Sequence, residues 1–469
     1  MKSVQTSLGS REPVFTREFL EGVLGADWRS GSCFKGASGF SIDSRKLEEG
    51  DIFVALATEK QDGHDYLSEA EGKGASAALV SKPNEQLSLP QIVVEDPLQA
   101  LQELGAAWRQ KWRGRVIGVT GSCGKTSTKE LLGLLLGKDG IFVSLGNLNN
   151  HIGVPLSELM LRAEHRIAVL EAGINEGGEM DLLASLLDPN VSVVTTIGPS
   201  HLEKLGSLEG IAREKMQLAK HAKERVFLGP ACIDYEAFLE GEFASTRWLL
   251  PISRTLSRTP EGVIWRYGIL EDPKDGTSSV RLRNGTLFEF PTPDATAGMV
   301  ENICLALLVA SEEGVAQEDL LKRLSLWKAA SQRGEIIEVG SRTVYADYYN
   351  ANPASFADAA NYFHRRFPQV PRIWVIGGME ELGNSSAAWH RRLAGALPVL
   401  LGDKIFLVGS ITAEMESTLR GRVGEDSIRL ADKAEDVIEE VRATEGVLFL
   451  KGSRKYQLEK ILDSLGRKD

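Results

Sequence analysis

Lys125 and Thr126 follow the turn Gly121-Ser122-Cys123-Gly124 and precede Ser127, so an amine and two hydroxyls are gathered behind two glycines. That set suits phosphate. Glycines let backbone N–H groups close around anionic oxygens, a helix N-terminus adds positive potential, and Lys125 supplies a mobile cation. The Thr126 hydroxyl has the right chemistry to reach a Mg²⁺ ion held by the same phosphates. The general spacing for such a loop puts glycine at 119, where this chain has Val119. A glycine-rich turn that binds nothing is the plainer alternative, and Gly-Lys-Thr between a strand and a helix argues against it.

The elements around the loop are those it requires. An apolar run over 116–119 predicts a strand, and the pattern over 126–136 predicts a helix that Gly137 ends. Further strands are expected over 141–144, over 166–171 ending in Glu171, and over 191–197. A polar loop, Gly146-Asn-Leu-Asn-Asn-His151, follows the first of these, and Gly198-Pro-Ser-His201-Leu-Glu203 follows the last. In an open parallel sheet the strand C-termini face the ligand crevice, which places Glu171 on the same edge as Lys125 and His201. A carboxylate there can hold Mg²⁺ on ATP phosphates. By spacing alone His201 reads as a satisfied loop histidine; the alternative for Glu171 is a capping or surface acid, and the phosphate loop beside it argues against that.

Three units are expected, 1–112, 113–330 and 331–469. The first alternates short strands and helices, an α/β pattern. In it Ser44 and Arg45 precede a buried strand and could hold an anionic ligand, or else make a solvated turn with a surface ion pair. The second is built on the phosphate loop. The third has strands over 343–346, 372–376, 404–408 and 447–450, with helical segments between them, and reads as a doubly wound α/β domain without a phosphate loop. Separate cores make a cleft between domains the expected ligand site.

Composition narrows the partners. A chain of 469 residues needs more than one core. Its net charge of −11 argues against nucleic acid, since phosphate backbones select basic surfaces. Cys33, Cys123, Cys232 and Cys304 are widely spaced and form no C-x-x-C pair, so neither a disulfide framework nor a zinc site is suggested. No apolar run reaches about 18 residues, and the N-terminus lacks a signal-peptide core. A soluble cytoplasmic protein is expected.

Taken together, the motifs resemble those of the ATP-dependent Mur ligases of bacterial peptidoglycan synthesis. The resemblance begins with Asp43-Ser44-Arg45, Gly50-Asp-Ile-Phe-Val-Ala-Leu56 and Asp62-Gly-His-Asp65. It continues through Thr120-Gly-x-x-Gly-Lys-Thr126, which explains the absent glycine at 119, then Gly146 to Pro155, Glu171-Ala-Gly173 and His201-Leu-Glu203. Tyr349-Asn-Ala-Asn-Pro353, Met379-Glu-Glu-Leu-Gly383 and Lys451-Gly-Ser-Arg454 complete the order. It implies an N-terminal α/β domain for the UDP end of a muramyl peptide, a central P-loop ATPase domain with a mostly parallel sheet, and a C-terminal Rossmann-like domain. Tyr349 to Pro353 points within the family to addition of D-alanyl-D-alanine to a UDP-N-acetylmuramoyl-tripeptide.

The roles that follow are what the resemblance implies. Ser44 and Arg45 would serve uridine and diphosphate. Gly121, Ser122, Cys123, Gly124, Lys125, Thr126 and Ser127 would cradle ATP, with Asn302 near adenine and Arg333 and Asn350 toward the nucleotide. Thr126 and Glu171 would take one Mg²⁺. His201 and a carbamylated Lys215 would serve a second. Asn149 and Asn150 would lie along the peptide, and Lys451, Ser453 and Arg454 would meet the incoming dipeptide or the muramyl peptide. A monomer is expected. Without the resemblance, Lys215 reads as one more solvated helix lysine, like Lys220 and Lys223 nearby.

The chain departs from the family at Thr58, Thr196, Gly298-Met299, Tyr348 and Gly378, mostly on the nucleotide side and in the third domain, while Lys125, Glu171, His201 and Lys215 remain. Three rivals follow: a sister ligase with another acceptor, a nucleotide-binding regulator on a retired ligase scaffold, and a P-loop kinase. The regulator would bind ATP without substrate-dependent phosphate release. The kinase leaves the first- and third-domain motifs unexplained.

Overall fold

Residues 51–54 and 77–80 are buried at every position, and such runs, apolar but for Asp51, suit parallel strands covered on both faces. In the computed structural model they form the centre of a sheet. The structure describes residues 13–25, 27–29, 34–272 and 277–466, so Cys33 lies outside the described residues. The chain packs as two bodies: one of Met1–Val116, Phe142–Ala172 and Leu182–Asp188, the other of Ile117–Ile141, Gly173–Asp181 and Pro189–Asp469.

The first body holds strands β1 (Asp27–Arg29), β2 (Gly39–Ser41), β3 (Asp51–Val54), β4 (Ala77–Val80) and β5 (Gln91–Val93) in the order β1-β5-β4-β3-β2. Only β1 runs antiparallel. The helix Pro97–Lys111 covers this sheet; Asp96 accepts hydrogen bonds from the Leu98 and Gln99 N–H groups, and Pro97 costs the helix no bond at its first position. Gly105 lets the helix Gly153–Leu159 pack closely, since a Cβ there would sit 2.9 Å from Pro155.

The second body carries the phosphate loop. After β6 (Arg115–Thr120), with β7 (Ile141–Val143) and β8 (Ile167–Glu171) lying largely in the first body, come β9 (Val191–Val194), β10 (Arg225–Leu228), β11 (Ser245–Pro251), β12 (Val263–Glu271), β13 (Ser278–Arg283) and β14 (Leu287–Pro291). Strands β6, β9, β10, β11 and β12 are parallel neighbours, and β13 and β14 extend them antiparallel. Thr120 pairs with Val194, so the chain leaves both strands at one edge, into the loop at 121 and the segment at 195. The antiparallel extension has no counterpart in the sequence reading, whose last strand in this domain ends at 197.

A separate sheet forms the C-terminal part, in the order β15 (Glu335–Val339), β16 (Arg342–Asp347), β20 (Val447–Lys451), β17 (Arg372–Gly377), β18 (Lys404–Val408), β19 (Ile428–Ala431), with only β15 antiparallel. Alternation sets its two cores: Trp374, Ile376, Leu407 and Phe449 face one, Ile373, Val375, Phe406 and Leu450 the other. Strands β15 and β19, and the helix Glu416–Val423, have no counterpart in the sequence pattern. The helix Ser386–Ala396 ends where Leu397 turns extended before Pro398.

Candidate active site

Between β6 and the helix Lys125–Leu136 the loop turns on two glycines that no other residue could replace without strain. Gly121 has φ +150° and a Cβ there would lie 2.0 Å from the Thr195 hydroxyl oxygen; Gly124 has φ +80° and would meet the Asn302 side chain at 2.5 Å. The segment after β9 braces the loop. Ser122 N–H donates to the Thr196 carbonyl at 2.8 Å, and the Ser122 hydroxyl donates to Gly198 O and accepts from Gly198 N–H. The Thr195 hydroxyl donates to the Cys123 carbonyl. Lys125 is half-buried and its ammonium donates to Gly121 O at 2.9 Å. Thr126 and Ser127 open the helix, whose first N–H groups carry the positive end of its dipole.

Other elements of the same body converge on this loop. Asn302 reaches it from the helix Ala297–Glu312. Asn352, which caps the helix Pro353–Arg366, donates its amide to the Cys123 sulfur at 2.9 Å and so ties the Tyr349 to Pro353 motif to the loop. Burial pushes the Cys123 thiol up, so it stands here as a neutral packing group. Gly298, one of the departures, gives its N–H to the Asp358 carboxylate at 3.1 Å, and a Cβ at 298 would lie 2.8 Å from that oxygen.

Lys215 is not a solvated lysine. It lies on the buried face of the helix Leu208–Lys220, its Nζ has no hydrogen-bond partner, and burial, with the Lys125 charge adding, holds its amine well below the usual lysine range. Arg213, Lys220 and Lys223 are exposed. His201 has φ 52° and its Nδ1 meets the Glu381 carboxylate at 2.7 Å. That hydrogen bond holds the Glu381 carboxyl below its ordinary value. The sequence assigns Glu381 no role: it lies in the Met379 to Gly383 motif, but the partner of a loop histidine cannot be read from spacing.

In the first body Glu171 is buried, at 2 % exposure; Asn149 donates to it at 2.7 Å, and its own N–H donates to the Ser144 hydroxyl. Asn150 accepts from the Ile152 and Gly153 N–H groups and so opens the helix Gly153–Leu159. Ser44 donates to Glu69 at 2.9 Å. Arg45 is 81 % exposed and pairs with Asp43, whose carboxyl it holds down at about 2. Among the third-domain residues, Arg333 stacks on Tyr349 at 3.9 Å and Asn350 accepts from the Ala351 N–H. Lys451 is 1 % exposed, with its ammonium on Asp347 at 2.6 Å. Asp347 stands next to Tyr348, one of the departures, and the lysine and the acid satisfy each other. Ser453 accepts from Glu380 N–H, while Arg454 lies exposed with Gln332 and Glu459.

Among the described residues, no three or more His, Cys, Asp or Glu side chains form a group that could hold a metal ion. The donors present are a hydroxyl, single carboxylates, one imidazole and a buried amine. Of these, the hydroxyl and the carboxylates are oxygen donors of the kind that Mg²⁺ takes beside substrate phosphates and water.

Comparisons with known proteins agree along the chain. Residues 37–109 match the Mur ligase family catalytic domain, 119–310 the Mur ligase middle domain, and 332–454 the Mur ligase glutamate ligase domain. The chain is 32% identical to a UDP-N-acetylmuramoyl-tripeptide–D-alanyl-D-alanine ligase of Bacillus subtilis (strain 168), over 91% of this chain and 93% of that protein. It is equally 32% identical to the enzyme of that name from Escherichia coli (strain K12), with the same shares covered. A crystal structure of MurF from Acinetobacter baumannii superposes with a TM-score of 0.79 at 27% identity, covering 97% of this chain and 99% of that one. MurF ligase from Thermotoga maritima in complex with ADP gives 0.74 at 27% identity, over 91% and 97%. With three matching domains in order, a fold shared end to end and relatives above 30% identity, the chain belongs to the Mur ligase family.

Proposed function

We propose that the chain is an ATP-dependent ligase that forms an amide between UDP-N-acetylmuramoyl-tripeptide and D-alanyl-D-alanine, a step in peptidoglycan precursor synthesis. The observation that carries this reading is the similarity over 91% of the chain to enzymes named for that reaction. The proposed division, 1–112, 113–330 and 331–469, gives the UDP end to the first domain, ATP to the second and the acceptor side to the third. A bacterial cytoplasmic location goes with it; among the described residues, no helix is long and apolar enough to cross a membrane.

The tripeptide's terminal carboxylate oxygen attacks the γ-phosphorus of ATP, and ADP leaves. The dipeptide amine then attacks the carbonyl carbon of the acyl phosphate, phosphate leaves and a proton is released. An anion attacking an anion is the difficulty, and Lys125 with the N-terminal amides of its helix offsets that charge. The braced loop holds these donors in place before substrate arrives. Asn352 links the third domain to the loop, which supports a closed arrangement that keeps water from the acyl phosphate.

Bound Mg²⁺ would neutralise phosphate charge and orient the γ-phosphoryl group. The proposed holders are Thr126 for one ion and His201 and Lys215 for another; Glu171, in the first body, is a buried carboxylate whose metal role is the one the resemblance implies. Lys215 suits the second role as a carbamate. A neutral lysine amine attacks CO₂, forming an N–C bond and releasing a proton, and the product presents oxygens to a hard cation. The unpartnered, depressed amine of Lys215 supports this.

Acceptor choice tests the reading. Phosphate release in the presence of UDP-muramyl-tripeptide should respond to D-Ala-D-Ala and not to single amino acids. Equal activation by a single amino acid would assign the chain to a sister reaction.

A further inference from the structure

Two short segments dock at His201. On one side are His201, Leu202 and Glu203; on the other is the Met379 to Gly383 turn of the C-terminal sheet's domain. His201 Nδ1 and Glu381 Oε2 are 2.7 Å apart, and Glu203 N–H donates to the Glu381 carbonyl at 3.2 Å. Leu202 packs against the core containing Met379 and Leu382. Gly383, at φ +54°, is close enough that a Cβ would lie 3.0 Å from the Glu203 backbone. Both His201 and Glu381 occupy left-handed backbone conformations, at φ 52° and 65°. Non-glycine residues adopt such conformations rarely, and the strain persists only where surroundings fix it.

The Met379 to Gly383 turn is itself anchored. Ser453 accepts from the Glu380 N–H at 3.0 Å, and the Glu380 carboxylate accepts from Tyr456 and Lys455. A carboxylate accepting from one ring nitrogen fixes the imidazole's tautomer and leaves the other nitrogen's lone pair available. Metal-bound histidines use this arrangement widely.

We infer that Glu381 is a positioning residue for His201: it holds Nδ1–H and presents Nε2 as a ligand for a divalent cation at the nucleotide. This rests on the reading of His201 as a metal ligand. It also makes that ligand depend on a residue of the C-terminal domain, so that docking of the Met379 to Gly383 turn and readiness of the cation site are one event.

The test is Mn²⁺ binding, followed by electron paramagnetic resonance on the full-length protein with a non-hydrolysable ATP analogue. Circular dichroism would check the fold of each variant. Glu381→Ala should weaken Mn²⁺ binding at the His201 site by about 10- to 100-fold. Glu381→Gln, which keeps an acceptor oxygen, should recover most of that loss. His201→Ala should weaken the same site, and adding Glu381→Ala to it should cost nothing further. Mn²⁺ affinity within twofold of wild type in Glu381→Ala, with His201→Ala impaired, would overturn this inference alone. A Glu381→Ala loss that persists in full on the His201→Ala background would also overturn it. An unimpaired His201→Ala would remove the metal-ligand reading and this inference with it.

Discussion

Asn149 donates to the Glu171 carboxylate at 2.7 Å, so a residue of the polar loop after β7 aims the acid that ends β8. The Ser144 hydroxyl, meeting the Glu171 N–H, steadies the same strand end. Asn149→Ala should therefore act through Glu171. Outer partners of this kind are worth about 10- to 100-fold in metal affinity or activity. The expected result is a raised Mg²⁺ requirement with little change in melting temperature. A rise confined to the KM for the muramyl peptide would place Asn149 on substrate instead.

Lys215→Ala removes the buried amine and, with it, any carbamate oxygens. Turnover should fall steeply and return in part on adding formate or acetate, whose oxygens can enter the space left by the side chain. Labelled CO₂ should give wild type a carbamate carbon signal that the variant lacks. Absence of both rescue and signal would leave Lys215 a packing residue.

The first body has a pH-sensitive core group of its own. Glu158 is fully buried, neither carboxylate oxygen has a hydrogen-bond partner, and burial raises its carboxyl well above 4.5, with Arg109 opposing and Asp188 adding. The native state thus binds a proton that the unfolded chain releases first. This stabilising contribution is complete below the unfolded value of 4.5 and is lost as pH rises through the raised native value. Its slope is at most about 1.4 kcal/mol per pH unit. Glu158→Gln should flatten the dependence and unfold at higher urea than wild type at alkaline pH. Identical wild-type and variant profiles would show that Glu158 keeps an ordinary affinity for protons.

The fold was most legible where burial is continuous. The run before Gly121 and the runs at 51–54 and 372–376 are apolar at nearly every step, which announces parallel strands. Strands β10 to β14 have no counterpart in the sequence reading; in the antiparallel pair β13 and β14 polar and apolar residues alternate on a half-exposed hairpin, as in β14, whose burial alternates at every position. Within the candidate site the glycines and Lys125 carry their own local signal. The reach of Asn352 to Cys123 and of Glu381 to His201 spans more than a hundred residues, and no spacing rule encodes such pairs. Lys215 stands four residues from both Ile211 and Ala219, on the stripe that the helix buries, so its spacing carries a signal that separates it from Lys220; the usual exposure of lysine masks that signal in the sequence. Arg45 shows the reverse. Its exposed pairing with Asp43 is the surface ion pair that the sequence left open beside an anion-binding role.

The most direct measurement is phosphate release and product mass with ATP, Mg²⁺ and UDP-N-acetylmuramoyl-tripeptide, with and without D-Ala-D-Ala. Wild type should release phosphate and form the pentapeptide only when the dipeptide is present, and Lys125→Ala should do neither. ATP binding with no dipeptide-dependent product, or full turnover by Lys125→Ala, would contradict the account.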